Sequence, residues 1–136
     1  MKERVRAIIK NGEDILLIHR IKKEREYWVF PGGGIEKTDS DIKSALVREC
    51  KEELGVEVRV GDLFTTYKYG GAGEEQCEYF YFSEILSGVL GTGSGPEFQE
   101  GTHYEGMYAL EWIPLGDFPS KNIQPEEVKK KLQEEA

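Results

Sequence analysis

Glu49, Glu52 and Glu53 are the residues of this chain whose types and spacing most directly suggest chemistry. They stand at i, i+3 and i+4, so on a helix all three carboxylates project to nearly one face. Like charges at those spacings cost a helix about 0.2–0.5 kcal/mol per pair, and the C-terminal half of a helix disfavours anions further. A cation held between the carboxylates would offset both costs. Oxygen donors without His or Cys suit Mg²⁺ or Mn²⁺ better than Zn²⁺. The same residues can also be read as a solvated glutamate face, and on their own they do not decide between the two.

The elements around them are legible from pattern. Ile42, Ala45, Leu46, Cys50 and Leu54 recur at helical spacing, Gly55 supplies a C-terminal stop, and Thr38 with Asp41 reads as the opening cap. Before this helix, Pro31-Gly32-Gly33-Gly34 is expected to be a shaped loop, because such a run interrupts strands and helices. Further upstream, Arg4 to Lys10 and Asp14 to Ile21 read as strands joined by a hairpin at Asn11-Gly12. Downstream, strands are expected at Glu57 to Val60, Leu63 to Tyr69, Cys77 to Leu86 and Met107 to Ile113. The glycine-rich stretch Ser87 to Gly101 is expected to be mobile. Its Gly91 to Gly95 run is not followed by a helix pattern and is not read as a nucleotide fingerprint. Pro125 is placed to open a C-terminal helix. With no internal repeat and no linker, residues 1–136 are expected to form one α+β domain.

Composition excludes several classes. Formal charge is −8, from 18 basic and 26 acidic residues, which argues against binding a nucleic-acid polymer or an acidic membrane. The two cysteines are too few for a disulfide scaffold and suit a reducing compartment. No apolar run approaches membrane-spanning or signal-peptide length, so a cytoplasmic protein is expected.

From Gly34 the chain runs Gly-x5-Ser40-x7-Arg48-Glu49-Cys50-x-Glu52-Glu53-x-Gly55-Val56, preceded by Pro31-Gly32-Gly33. This resembles the Nudix box, G-x5-E-x7-R-E-U-x-E-E-x-G-U with U apolar. Six fixed residues match: Gly34, Arg48, Glu49, Glu52, Glu53 and Gly55. At roughly 7% per position, that match arises by chance about once in ten million registers. The resemblance implies the Nudix fold, an α/β/α sandwich around a mixed central sheet. It also implies a metal-dependent pyrophosphohydrolase acting on a small-molecule nucleotide with Mg²⁺ or Mn²⁺. Glu49, Glu52 and Glu53, with the Gly33 carbonyl, would be metal ligands, and Arg48 would orient Glu49. Glu49 is the leading general base, with Glu105, then Glu100 and Glu97, as loop alternatives. Relatives are often dimers, and exposed strands here would permit a homodimer.

One position departs from the pattern. Ser40 stands where the family carries its first glutamate, which keeps open a second reading, a catalytically weak nucleotide sensor. Residues Gly70 to Glu78 lack the proline and tyrosine of the ADP-ribose and dinucleoside-polyphosphate branches. By elimination the chain resembles the MutT-like group, which converts nucleoside triphosphates, oxidised ones included, to monophosphate and pyrophosphate. Arg20, Lys22, Lys23 and Arg25 could meet phosphates. Tyr67, with Tyr69, Tyr79 and Tyr81, could stack on a base. For the basic residues a solvated loop, and for the tyrosines a packing ladder, are the competing readings. His19 and His103 receive no role, and Cys50 is read as packing.

Overall fold

A computed structural model describes residues 2–70, 73–92 and 107–135. Glu97, Glu100, His103 and Glu105, and most of the stretch expected to be mobile, lie outside those residues. The strands are β1 (Lys2–Asn11), β2 (Asp14–Lys22), β3 (Arg25–Val29), β4 (Gly32–Gly34), β5 (Val56–Tyr69), β6 (Gln76–Gly88), β7 (Met107–Pro114) and β8 (Ile123–Gln124). The helices are α1 (Ile42–Leu54) and α2 (Glu126–Glu135), with a 3-10 helix over Leu115–Ser120.

The strands form one mixed, curled sheet. β1 runs parallel to β6 and β3 parallel to β8, whereas the other pairings are antiparallel. β1 and β2 pair only at Lys10↔Ile15 and Asn11↔Asp14. Beyond that they part: β1 pairs with β6 and β4, and β2 with β3 and β7. The result is two leaves joined at a short hairpin.

Alternation on β1 feeds two cores. Val5, Ala7 and Ile9 pack with Ala45, Leu46, Cys50 and Leu54 of α1. Ile8 faces the other way, into a core with Phe30, Phe80, Phe118 and Val128 and Leu132 of α2. Helices on both faces of a mixed sheet make the expected sandwich.

Several local expectations are corrected. The β1–β2 turn is Gly12-Glu13, with Gly12 at φ 64° taking the left-handed turn position. The cap of α1 is Asp41, whose Oδ1 accepts the Ser44 N–H at 2.7 Å, not Thr38. Glu57 to Tyr69 is one long strand, because irregularities between Val60 and Thr65 let it bend without ending. The glycine run is not wholly a loop either: Gly32, Gly33 and Gly34 pair with Arg6, Val5 and Arg4. A Cβ on Gly32 would lie 2.0 Å from the Val5 carbonyl oxygen, and its φ of 146° is open to glycine. Glycine is what lets this backbone come so close to β1.

Candidate active site

The apolar face of α1 fixes the direction of its polar face. With Ala45, Leu46, Cys50 and Leu54 buried against the sheet, Arg48, Glu49, Glu52 and Glu53 lie beside β4. Gly55, at φ 83°, ends the helix by donating to the Cys50 and Lys51 carbonyls.

Glu49 and Glu53 close on the glycine strand. Glu53 Oε1 accepts the Gly32 N–H at 2.7 Å. A Cβ on Gly33 would meet the Glu49 carboxylate oxygens at 2.5 and 2.7 Å, so only glycine leaves this carboxylate its place. The Glu49 side chain is 16% exposed. Burial raises its carboxyl above the usual glutamate range, and the Arg48 guanidinium opposes that shift.

Arg48 ties the region together. Its Nη1 donates to Glu49 Oε1 at 3.0 Å and to Glu52 Oε2 at 3.3 Å, and its Nη2 donates to the Gly34 carbonyl at 3.1 Å. Its opposite edge, Nε and Nη2, donates to both Asp39 oxygens at 2.9 Å. Sequence reasoning missed Asp39. Its signal was present, a carboxylate next to the box position that lacks one, but which residue turns toward Arg48 depends on the loop.

Across from α1, a cleft of about 280 Å³ is lined by Arg4, Arg6, Arg20, Tyr27, Tyr108, Gly32, Gly33 and Glu53, among others. Arg4 and Arg6 were not singled out from sequence, although their alternation with Val5 and Ala7 on β1 marks them as facing away from α1's core. Arg6 and Val29 are shared with an adjoining cleft of about 200 Å³, which also contains Phe30, Tyr67, Tyr69, Glu78, Phe80, Gln124 and Pro125. There Arg6 Nε donates to Glu78 Oε1 at 2.7 Å, and the Tyr67 and Tyr69 rings stack at 5.1 Å.

The structure therefore joins Glu49 and Glu52 through Arg48, sets Glu49 against Gly33, and puts Gly33, Glu53 and Arg20 in one cleft, with Tyr67 in the next. It does not bring Lys22 or Arg25 into the lining of either cleft. Those two pair with each other at the rim of the β2–β3 hairpin, and Arg25 lies over the Tyr27 ring at 5.1 Å. Tyr79 and Tyr81 pack on the α1 side, with the Tyr79 hydroxyl donating to Glu3. His19, left without a role, is held between Glu111 at 2.6 Å and Glu26 at 2.8 Å and stacks on Trp28. Among the described residues no three His, Cys, Asp or Glu side chains already form a metal cage. The donor set on α1 is nonetheless carboxylate oxygen throughout, with a backbone carbonyl nearby, which is the chemistry a hard divalent cation takes.

Comparison with known proteins gives the family and the fold. The NUDIX domain family model matches residues 1–132, and the chain belongs to that family. It is 40% identical over 70 residues to the CTP pyrophosphohydrolase of Escherichia coli (strain K12), covering 50% of this chain and 51% of that one. It is 31% identical over 121 residues to a Caenorhabditis elegans protein named as a nudix hydrolase, covering 86% of this chain and 30% of that one. The chain thus spans about half or less of the length of these two relatives. Its fold superimposes on a MutT NUDIX hydrolase from Burkholderia pseudomallei with a TM-score of 0.69 at 25% identity, covering 97% of this chain and 95% of that one.

Proposed function

We propose that this chain is a divalent-cation-dependent pyrophosphohydrolase that cleaves a nucleoside triphosphate to the monophosphate and pyrophosphate. The observation that carries the reading is two opposite charge sets meeting at one cleft. Glu53 lines it from α1, with the Glu49 carboxylate against its Gly33, and Arg4, Arg6 and Arg20 line it from the sheet. Carboxylates alone suit a cation and arginines alone suit an anion. Side by side, they suit a polyphosphate that arrives with its counter-ion.

Glu49, Glu52 and Glu53, with the Gly33 carbonyl, would hold the cation. When bound, it neutralises diphosphate charge and makes a nearby water more acidic. Glu49 would accept the proton of the attacking water, a role supported by the burial that favours proton uptake and by the Arg48 hydrogen bond that orients it. The arginines receive phosphate oxygens, and in the adjoining cleft the Tyr67–Tyr69 pair offers a base a stacking face. The Escherichia coli relative is named for CTP, so CTP heads the panel to be tested.

The test measures pyrophosphate and phosphate release from nucleoside triphosphates, oxidised analogues, nucleotide sugars and ADP-ribose, each with and without Mg²⁺ or Mn²⁺. The expected result is cation-dependent pyrophosphate release from a triphosphate. Release from ADP-ribose or a nucleotide sugar alone would overturn the triphosphate assignment. Silence across the panel with nucleotide still bound would replace the enzyme by a sensor.

A further inference from the structure

The box position held by Ser40 has no carboxylate, yet Arg48 does not lack one. Asp39 grips its Nε and Nη2 through both oxygens, and the Asp39 side chain is only 6% exposed. Ser40 is exposed and turns the other way, its hydroxyl donating to Ser44 Oγ at 3.1 Å. Glu36 is no substitute, because it stands 3.7 Å from Arg48 Nη1 and is 61% exposed.

Asp39 is itself fixed before it meets Arg48. Its N–H donates to the Glu36 carbonyl at 3.0 Å, and its Oδ2 accepts the Glu36 N–H at 2.8 Å. A four-residue turn is thereby closed from both sides, and the carboxylate is presented at one angle. A guanidinium is planar, so gripping one edge sets where the other points. The free end here is Nη1, which donates to Glu49 and Glu52.

We infer that Asp39 is a positioning residue that takes over, one place earlier in the chain, the anchoring of Arg48 that Ser40 cannot supply, and so holds the Glu49 carboxylate against Gly33. The inference rests on the proposed role of Glu49 for its consequence in catalysis, but not for the anchoring itself. Arg48 holds Asp39 below the ordinary carboxylate range, so the anchor stays charged in the neutral range.

The experiment compares the native protein with Asp39→Asn and with the double variant Asp39→Asn/Ser40→Glu, which moves the carboxylate one residue along. Two readouts are taken: kcat and KM on the best triphosphate, and the Arg48 Nε–H resonance in the cation-free protein. Asp39→Asn is expected to lower kcat about 10- to 100-fold, the range for residues that orient a ligand, with KM little changed. Its Nε–H signal is expected to shift and broaden by exchange with water. The double variant is expected to recover the signal and most of kcat, which a merely structural staple at position 39 would not allow. Native kcat in Asp39→Asn, or a double variant that melts like the native protein and recovers neither readout, overturns the inference. If the native protein hydrolyses nothing, the proposed function falls separately, and an unchanged Arg48 signal in Asp39→Asn still overturns the anchor.

Discussion

At the scale of single residues, Glu49 carries two opposing demands. Its raised carboxyl means the folded protein holds a proton there more tightly than the unfolded chain does. Without divalent cation its contribution to stability therefore declines as pH rises from the ordinary glutamate value through the raised one. Glu49→Gln should abolish that slope and melt at or above the native temperature at neutral pH, while turnover falls by about 10²–10⁴-fold. Melting curves across the acidic range, with steady-state rates, check both halves. Glu53→Gln should also lose turnover with its fold kept, since an amide oxygen can still accept the Gly32 N–H. Ser40→Glu is expected to leave kcat within about twofold of native, because the edge of Arg48 that it would approach is already taken by Asp39. Rates on the same substrate check this, and a large loss would instead assign Ser40 a role of its own. Most of these side chains could be read from the chain, because the box fixes residue types on one helix face. Asp39, Arg4 and Arg6 could not. Their part depends on which way a turn closes and how two strands splay, and spacing does not encode either.

At the scale of elements, the glycine strand and α1 act as one unit. Gly32 and Gly33 separate two kinds of close approach. Gly32→Ala would drive a Cβ into the backbone of Val5 at a φ that disfavours side chains, so a destabilisation of about 3 kcal/mol or more is expected in a denaturant melt. Gly33→Ala meets only the flexible end of Glu49, so the fold should persist while displacement of that carboxylate lowers turnover by about 10²-fold. Equal stability losses in the two variants would contradict this division. The strand escaped sequence reasoning because a Pro-Gly-Gly-Gly run signals a break, and only β1 as a neighbour makes it pair. The helix, by contrast, was legible within one cap, because its apolar period and its Gly55 stop are local signals. The cap itself moved from Thr38 to Asp41, since either residue can open a helix and the turn at Glu36–Asp39 uses up the first.

At the scale of the whole molecule, the protein carries a net charge of −8, and three of its carboxylates stand on the helix face proposed to hold a cation. Adding Mg²⁺ or Mn²⁺ to chelator-treated protein should therefore raise its melting temperature. At a hundred times the dissociation constant the gain is about 2.7 kcal/mol. The gain should shrink in Glu53→Gln, and no shift with either ion in the native protein would remove the cation from the proposal. Fold class was legible at this scale because the order of elements is local information. The adjoining clefts were not, since each draws on strands distant in sequence.

The two leaves that part beyond Lys10 and Ile15 open as a wedge from the β1–β2 hairpin. Phe30 and Phe80, both fully buried and meeting edge to face at 5.4 Å, bridge the two leaves at the level of Arg6 and also floor the aromatic cleft. If that cleft takes the base as proposed, the breadth of substrate is written partly into the interior. Shaving either ring would then retune selectivity from behind, with every surface group left in place.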